Sequence, residues 1–372
     1  MRHATLVVGA RPNFMKAAPV VEALRDPAMG WQVRLVHTGQ HYDERLSDLF
    51  FRQLDMPAPD ANLGVGSGSS TEQTARAMIA LEGEFLAHRP DAVIVFGDIN
   101  STVAAALAAS RLLIPVVHVE AGLRSYDRTM PEEVNRVVTD ALSSVLFVTE
   151  HSALDNLARE GVDLARAHFV GNTMIDTLER HRSAAATLDA AQAIGAGLGY
   201  VLVTLHRPSN VDDAAALARI VDMLVAVSAG QDVVFPVHPR TAKRLAETGL
   251  DVQLRSSRVI VVAPLGYLEF LNLMMRAAVV LTDSGGVQEE TTALGVPCVT
   301  LRPNTERPVT IHEGTNVLAG DDVDRARSLI ADVLQGVRVS PGRRPDLWDG
   351  RAADRIACVL RDWSLNPSLT SR

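Results

Sequence analysis

The sequence predicts an α/β fold made of two doubly wound parallel sheets, and three observations carry that prediction. Short β-rich apolar runs alternate with longer helical patterns along the chain. The alternation breaks once, at residues 181–199, and then begins again. The chain has 372 residues, 47% of them hydrophobic, which is too long for one ordinary domain and enough to fill a core in each half.

In the first half the strand candidates are residues 5–9, 32–37, 92–96, 115–119, 145–148 and 168–170. Helical patterns lie at 13–24, 44–53, 71–87, 101–113, 132–142 and 152–159. Apolar runs this short, bounded by turn residues, suit strands buried on both faces of a parallel sheet. Residues 181–199 are rich in alanine and glycine and read as a helix followed by a linker. A second series follows, with strands at 200–205, 232–236, 259–262, 279–282 and 298–300. Two Rossmann-like halves facing a hinged cleft result: an N-terminal domain at 1–180, the linker region at 181–199, and a C-terminal domain at 200–350. The tail, 351–372, is expected to form a helix that packs back on the first domain and to fray over 366–372.

The net charge of −8 and an aromatic content of 4% argue against a nucleic-acid partner, which would need a basic surface and rings for base stacking. The two cysteines, Cys298 and Cys358, have no metal-ligand spacing and read as free thiols in a reducing compartment. The N-terminus reads as a first strand rather than a signal peptide, and no apolar run is long enough to span a membrane. The expected location is therefore cytoplasmic.

Ligands of open parallel sheets bind beyond the carboxyl ends of the strands, so the turns there decide the chemistry. The first, Gly9-Ala10-Arg11-Pro12-Asn13-Phe14-Met15-Lys16, lacks the G-x-G-x-x-G dinucleotide fingerprint. Arg11 and Lys16 read as ligands for phosphate or sugar, with plain surface charges as the alternative. In Phe96-Gly97-Asp98-Ile99-Asn100-Ser101, the caps of the next helix are expected to be Asn100 and Ser101, which frees Asp98 for catalysis. Glu120 emerges from the next strand, and His118 beside it reads as a hydrogen-bonded core histidine rather than a metal ligand. In Met130-Pro131-Glu132-Glu133, the i,i+4 relation puts Glu132 with Arg136 at the site and leaves Glu133 solvated.

In the second half, His206 and His238 follow successive strands. Ser284-Gly285-Gly286 opens a helix whose backbone can approach an anion, and Glu290 is one turn on, where it can hold ribose hydroxyls. Arg307 adds a cation. The first half carries carboxylates and the second carries anion-binding turns, which suits a nucleoside diphosphate sugar.

These turns resemble the non-hydrolysing UDP-N-acetylglucosamine 2-epimerase family, which has the GT-B fold. The resemblance rests on GARPNFMK (9–16), TGQHYD (38–43), FGDINST (96–102), HVEAGLRS (118–125), MPEEVNR (130–136), VGNTMID (170–176), LHRPSNV (205–211), PVHP (236–239), TDSGGVQEE (282–290) and TERP (305–308), in this order over nearly the whole chain. It implies reversible inversion at C2 of UDP-GlcNAc to give UDP-ManNAc, by anti-elimination of UDP to 2-acetamidoglucal and re-addition. It implies no cofactor, neither NAD nor an obligatory metal, and a homodimer. It places Asp98, Glu120, Glu132 and His206 at catalytic positions. Arg11, Lys16, Arg136, His238, Ser284, Gly285, Gly286, Glu290 and Arg307 match substrate-binding positions, and Phe270 is placed near the uracil, with a core phenylalanine as the rival reading.

Gln40 and His41 match an allosteric activator site of many bacterial members, but residues 64–74 lack the Arg-Gln pair that accompanies it. Weakened or absent activation is therefore expected. Pro208 and Ser209 stand where the common pattern has charged residues. The alternatives are a related UDP-sugar such as a UDP-2,3-diacetamido uronic acid, hydrolysis to free ManNAc, a GT-B glycosyltransferase, and a catalytically dead sensor.

Overall fold

A computed structural model describes residues 1–39 and 53–365, and divides them into two compact units. The first unit spans Met1–Arg180 and takes up the chain again from Asp346; the second spans His181–Pro345. The expected helix at 44–53, apart from Gln53, falls outside the described residues, as do Gln40, His41 and the tail 366–372.

The first unit holds seven parallel strands: β1 (Arg2–Val8), β2 (Trp31–His37), β3 (Ala61–Asn62), β4 (Ala92–Phe96), β5 (Val116–Ala121), β6 (Val145–Val148) and β7 (Ala167–Phe169). Helices α1 (Arg11–Arg25), α2 (Ser70–Ala87), α3 (Asn100–Arg111), α4 (Pro131–Leu142), α5 (His151–Arg159) and α6 (Thr173–Ala186) alternate with them. The spatial order is β3-β2-β1-β4-β5-β6-β7, so the winding reverses at β1/β4. Each residue of Ala92-Val93-Ile94-Val95-Phe96 is buried, as a strand covered on both faces requires. α2 begins at a capping box formed by Ser69 and Glu72, and Ala77, Leu81 and Phe85 turn one helical stripe into the core.

The second unit repeats the plan. Its strands are β8 (Val201–Thr204), β9 (Val233–Pro236), β10 (Val259–Val262), β11 (Val279–Thr282), β12 (Cys298–Thr300) and β13 (Asn316–Leu318), in the order β10-β9-β8-β11-β12-β13. Helices α7 (Ala190–Ala193), α8 (Pro208–Val211), α9 (Ala214–Ser228), α10 (Pro239–Thr248), α11 (Leu250–Arg255), α12 (Tyr267–Arg276), α13 (Gly285–Leu294), α14 (Val309–His312) and α15 (Val323–Leu334) connect them. Both sheets are doubly wound and parallel, as the alternating pattern predicts. Strands β3 and β13 were not expected from the sequence.

The chain then returns to the first unit as α16 (Ala352–Leu365), which packs on α1. Two devices fasten it. Trp348 is buried and its indole N–H donates to the Thr149 carbonyl at 2.9 Å. The buried carboxylate of Asp176 accepts from the backbone N–H groups of Ala352 (3.0 Å) and Ala353 (2.6 Å), which leaves these two α16 donors satisfied. Burial pushes the Asp176 carboxyl up to about 6 despite those donors. Further along, Trp363 stacks on Trp31 with ring centroids 6.4 Å apart. Among the described residues, no helix is long and apolar enough to cross a membrane. Asp176→Ala is expected to cost about 1–2 kcal/mol, the scale of a lost helix cap, and to speed hydrogen exchange in the first turn of α16. Urea unfolding and amide exchange check both.

Candidate active site

In the first unit the candidate side chains gather where the winding reverses. The turn after β1 enters α1 with Pro12 in the first turn, where its missing N–H costs nothing. Asn13 ties this turn to the next one: its side chain accepts from Gly9 N–H at 3.3 Å and donates to the Phe96 carbonyl at 2.9 Å. One helical turn on, Lys16 reaches Glu120 at the end of β5, with Nζ 2.7 Å from a carboxylate oxygen. Both side chains are about 95% buried, at 5% and 3% exposure, so this is an ion pair withdrawn from water. Arg11 lies in α1, with its side chain outside the described structure.

Gly97 lies beside that pair with φ +59°, and a Cβ there would come within 3.0 Å of Lys16 Nζ. Glu120 itself has φ +72°, a left-handed conformation that a non-glycine residue adopts only when its surroundings impose it. It sits at a register shift between Val119 and Ala121 against β6, so the bulge aims the carboxylate.

Asp98 is held by Arg136, with Oδ2 at 2.9 Å from both Nε and the terminal nitrogen. Asn135 adds a 2.9 Å bond to the Asp98 carbonyl. The expected caps are not observed. The N-cap of α3 is Ile99, without a side-chain cap bond. Asn100 turns to Gln73 and Ser70 on α2, and Ser101 meets the Thr38 hydroxyl at 2.7 Å. Asp98 is thus not left loose by neighbouring caps but fixed by a guanidinium.

The two glutamates at the start of α4 exchange the places expected of them. Glu133 is buried and accepts from Ser125 N–H (2.9 Å), the Ser125 hydroxyl (2.9 Å) and Tyr126 N–H (2.8 Å), and it also pairs with Arg136. The loop's buried donors need an acceptor, and the i,i+3 relation to Arg136 serves as well as i,i+4. Glu132 is exposed. His118 is a fully buried core histidine, as expected, bonded to Asp140 and to the Gly97 carbonyl.

In the second unit the reversal lies at β8/β11, and again the turns there carry the polar groups. The organising residue is Asp283, which the sequence reading left without a role. Its buried carboxylate accepts from His206 N–H, Arg207 N–H (2.9 Å) and Asn210 Nδ2 (3.0 Å), and lies 3.0 Å from His206 Nδ1. Burial alone would raise its pKa, but His206 and these donors hold it below the usual carboxylate range. The His206 ring is 39% exposed and lies 5.5 Å from the ring of His238. His238 caps α10, its Nδ1 accepting from Arg240 N–H at 3.2 Å. Pro208 and Ser209 are exposed at the start of α8.

Ser284 is the N-cap of α13 without capping it through its hydroxyl. Gly285 follows at the first turn, with Gly286 beside it, and a Cβ on Gly285 would lie 2.6 Å from the Arg307 guanidinium. That cation is pinned there by Glu289 at 2.7 Å and by Glu306, and Glu306 is itself held by Arg302 at 2.7 Å. A helix N-terminus and a guanidinium thus meet at one glycine.

Glu290 is buried on the same helix, and the Tyr267 hydroxyl donates to it at 3.1 Å. Burial pushes the Glu290 carboxyl up to about 8, opposed by the Tyr267 bond and reinforced by Glu289. Phe270 is half-buried against the apolar cluster around Tyr200, Leu202 and Leu273. Among the described residues, no group of three or more His, Cys, Asp and Glu is placed to hold a metal ion.

A family model described as UDP-N-acetylglucosamine 2-epimerase matches residues 24–361. The chain is 41% identical over 363 residues to the UDP-N-acetylglucosamine 2-epimerase of Methanocaldococcus jannaschii, covering 96% of this chain and 98% of that protein. It is 39% identical over 363 residues to the UDP-2,3-diacetamido-2,3-dideoxy-D-glucuronate 2-epimerase of Pseudomonas aeruginosa, covering 95% and 98%. The crystal structure of M. jannaschii UDP-GlcNAc 2-epimerase in complex with UDP-GlcNAc and UDP superposes with a TM-score of 0.89 at 41% identity, over 96% of this chain and 99% of that one.

Lys16→Met is expected to cost about 3–5 kcal/mol, because it strands the buried Glu120 charge. Adding Glu120→Gln should recover much of that loss. Equilibrium unfolding of the single and double variants checks it.

Proposed function

As the chain belongs to the UDP-N-acetylglucosamine 2-epimerase family, we propose that it interconverts UDP-GlcNAc and UDP-ManNAc by inversion at C2. One observation carries this reading: the chain shares 41% identity over nearly its full length with an enzyme of that name. The two carboxylates at neighbouring strand ends, Asp98 and Glu120, each fixed by a cation, are consistent with it.

The C2 hydrogen is a poor acid until the C1–O bond to UDP breaks. UDP leaves with the bonding pair, C1 becomes cationic, and a carboxylate removes the C2 proton to give the C1=C2 bond of 2-acetamidoglucal. Return of a proton to the opposite face of C2 and of UDP to C1 gives the epimer. Inversion needs proton-transfer groups on two faces, and Asp98, Glu120 and the exposed Glu132 supply the candidates. Carboxylates also stabilise the cationic stage.

The diphosphate suits the α13 N-terminus with Arg307, aided by His206 and His238, and Glu290 suits the ribose hydroxyls. Lys16 and Arg136 hold the catalytic carboxylates as well as adding positive charge. Pro208 and Ser209 are exposed where the common pattern has charged residues. The reading includes a cytoplasmic homodimer without NAD or an obligatory metal, as the family resemblance implies.

A second reading applies the same inversion to a UDP-2,3-diacetamido uronic acid, and the P. aeruginosa relative at 39% identity supports it. Incubation with each sugar nucleotide and NMR of the products separates the two. UDP-GlcNAc should give a mixture with UDP-ManNAc; turnover of the uronic acid alone would establish the second reading. In Asp98→Asn and Glu120→Gln, kcat should fall about 100-fold or more, the scale of a lost proton-transfer group, while the UDP dissociation constant changes little.

A further inference from the structure

Glu120 pays a conformational cost to stand where it does, and Lys16 alone does not explain what holds it. Its φ of +72° belongs to a strained region, worth about 1–3 kcal/mol for a non-glycine residue. The residues two before and two after it converge on one carboxylate. Asp140, buried in α4, meets His118 Nδ1 at 2.6 Å through one oxygen. Its other oxygen accepts Gly122 N–H at 3.0 Å and meets the Arg124 guanidinium at 2.7 Å. Arg124 is anchored in turn by a two-point contact with Glu160 at 2.8 and 2.6 Å. The far nitrogen of the His118 ring, Nε2, meets the Gly97 carbonyl at 2.8 Å, immediately before Asp98.

We propose that Asp140 and His118 form a positioning pair that holds Glu120 and Asp98 in their working places. The pair touches neither carboxylate. It clamps the bulge on both sides of Glu120 and fixes the peptide that leads into Asp98. Nε2 faces a carbonyl, which only accepts, so that nitrogen carries a hydrogen. Nδ1 meets a carboxylate oxygen at 2.6 Å. Burial would push the Asp140 carboxyl up, but His118 and Arg124 hold it below the usual range. Both ring nitrogens are thus engaged, which leaves neither to hold a metal ion. The assignment of Glu120 and Asp98 as the reacting carboxylates rests on the function proposed above.

Two substitutions divide the ring's contacts. His118→Asn keeps a donor near the Nδ1 position, toward Asp140. His118→Gln keeps one near Nε2, toward Gly97. Both are expected to lower kcat about 10- to 100-fold, the scale of an ångström-sized misplacement, with KM and the UDP dissociation constant changed less than threefold. Folded variants with kcat within threefold of the parent overturn the proposal, and so does a proportional loss of kcat and UDP binding.

A measurement on the unsubstituted chain covers variants that do not fold. With 15N-labelled histidine at neutral pH, His118 Nε2 should carry a hydrogen directed at the Gly97 carbonyl. An unprotonated Nε2 overturns the proposal. If the unsubstituted protein epimerises neither sugar nucleotide, the functional reading fails, while the ring measurement still decides the pair.

Discussion

An ammonium and a carboxylate, both withdrawn from water, meet at 2.7 Å where the first sheet reverses its winding, and the geometry of the site follows from that contact. Neither charge tolerates burial alone. Their pairing requires α1 to present Lys16 inward, β5 to bulge at Glu120, and position 97 to lack a side chain. Three turns from β1, β4 and β5 are thereby drawn to one place. A carboxylate at a strand end is mobile in principle; here the ion pair fixes it before any ligand arrives, which is the preorganisation the proposed function calls for.

The second unit applies the same logic with different residues. Asp283 gathers His206, Arg207 and Asn210 around one buried carboxylate, much as Asp140 gathers His118, Gly122 and Arg124. In each unit a buried acid organises the side chains and turns of a strand end. Arg307 is likewise set in advance, pinned by Glu289 and Glu306 over the opening of α13. Asp98, Glu120 and Arg307 are each held by buried partners of opposite charge.

Most of the fold was legible because buried parallel strands announce themselves as runs such as Ala92-Val93-Ile94-Val95-Phe96 and Val279-Val280-Leu281-Thr282. The strands that escaped, Ala61–Asn62 and Asn316–Leu318, are two and three residues long and contain asparagine, so no apolar run marks them. The turn residues of the site were legible from their position after the strands. Their supports were not. Asp140 lies late in α4, and only its contacts with His118 and Gly122 show that it serves the turns of β4 and β5. Glu132 and Glu133 are adjacent, so helical spacing alone could not tell which one the loop's backbone donors would claim. Asn100 and Ser101 looked like caps, yet a neighbouring helix and Thr38 drew them away.

The proposed inversion at C2 breaks the bond to UDP and exchanges the C2 proton. Incubating UDP-GlcNAc with the protein in heavy water and following the sugar by NMR tests it directly. Deuterium should appear at C2 as UDP-ManNAc forms. Formation of UDP-ManNAc with the original hydrogen retained at C2 rules this route out.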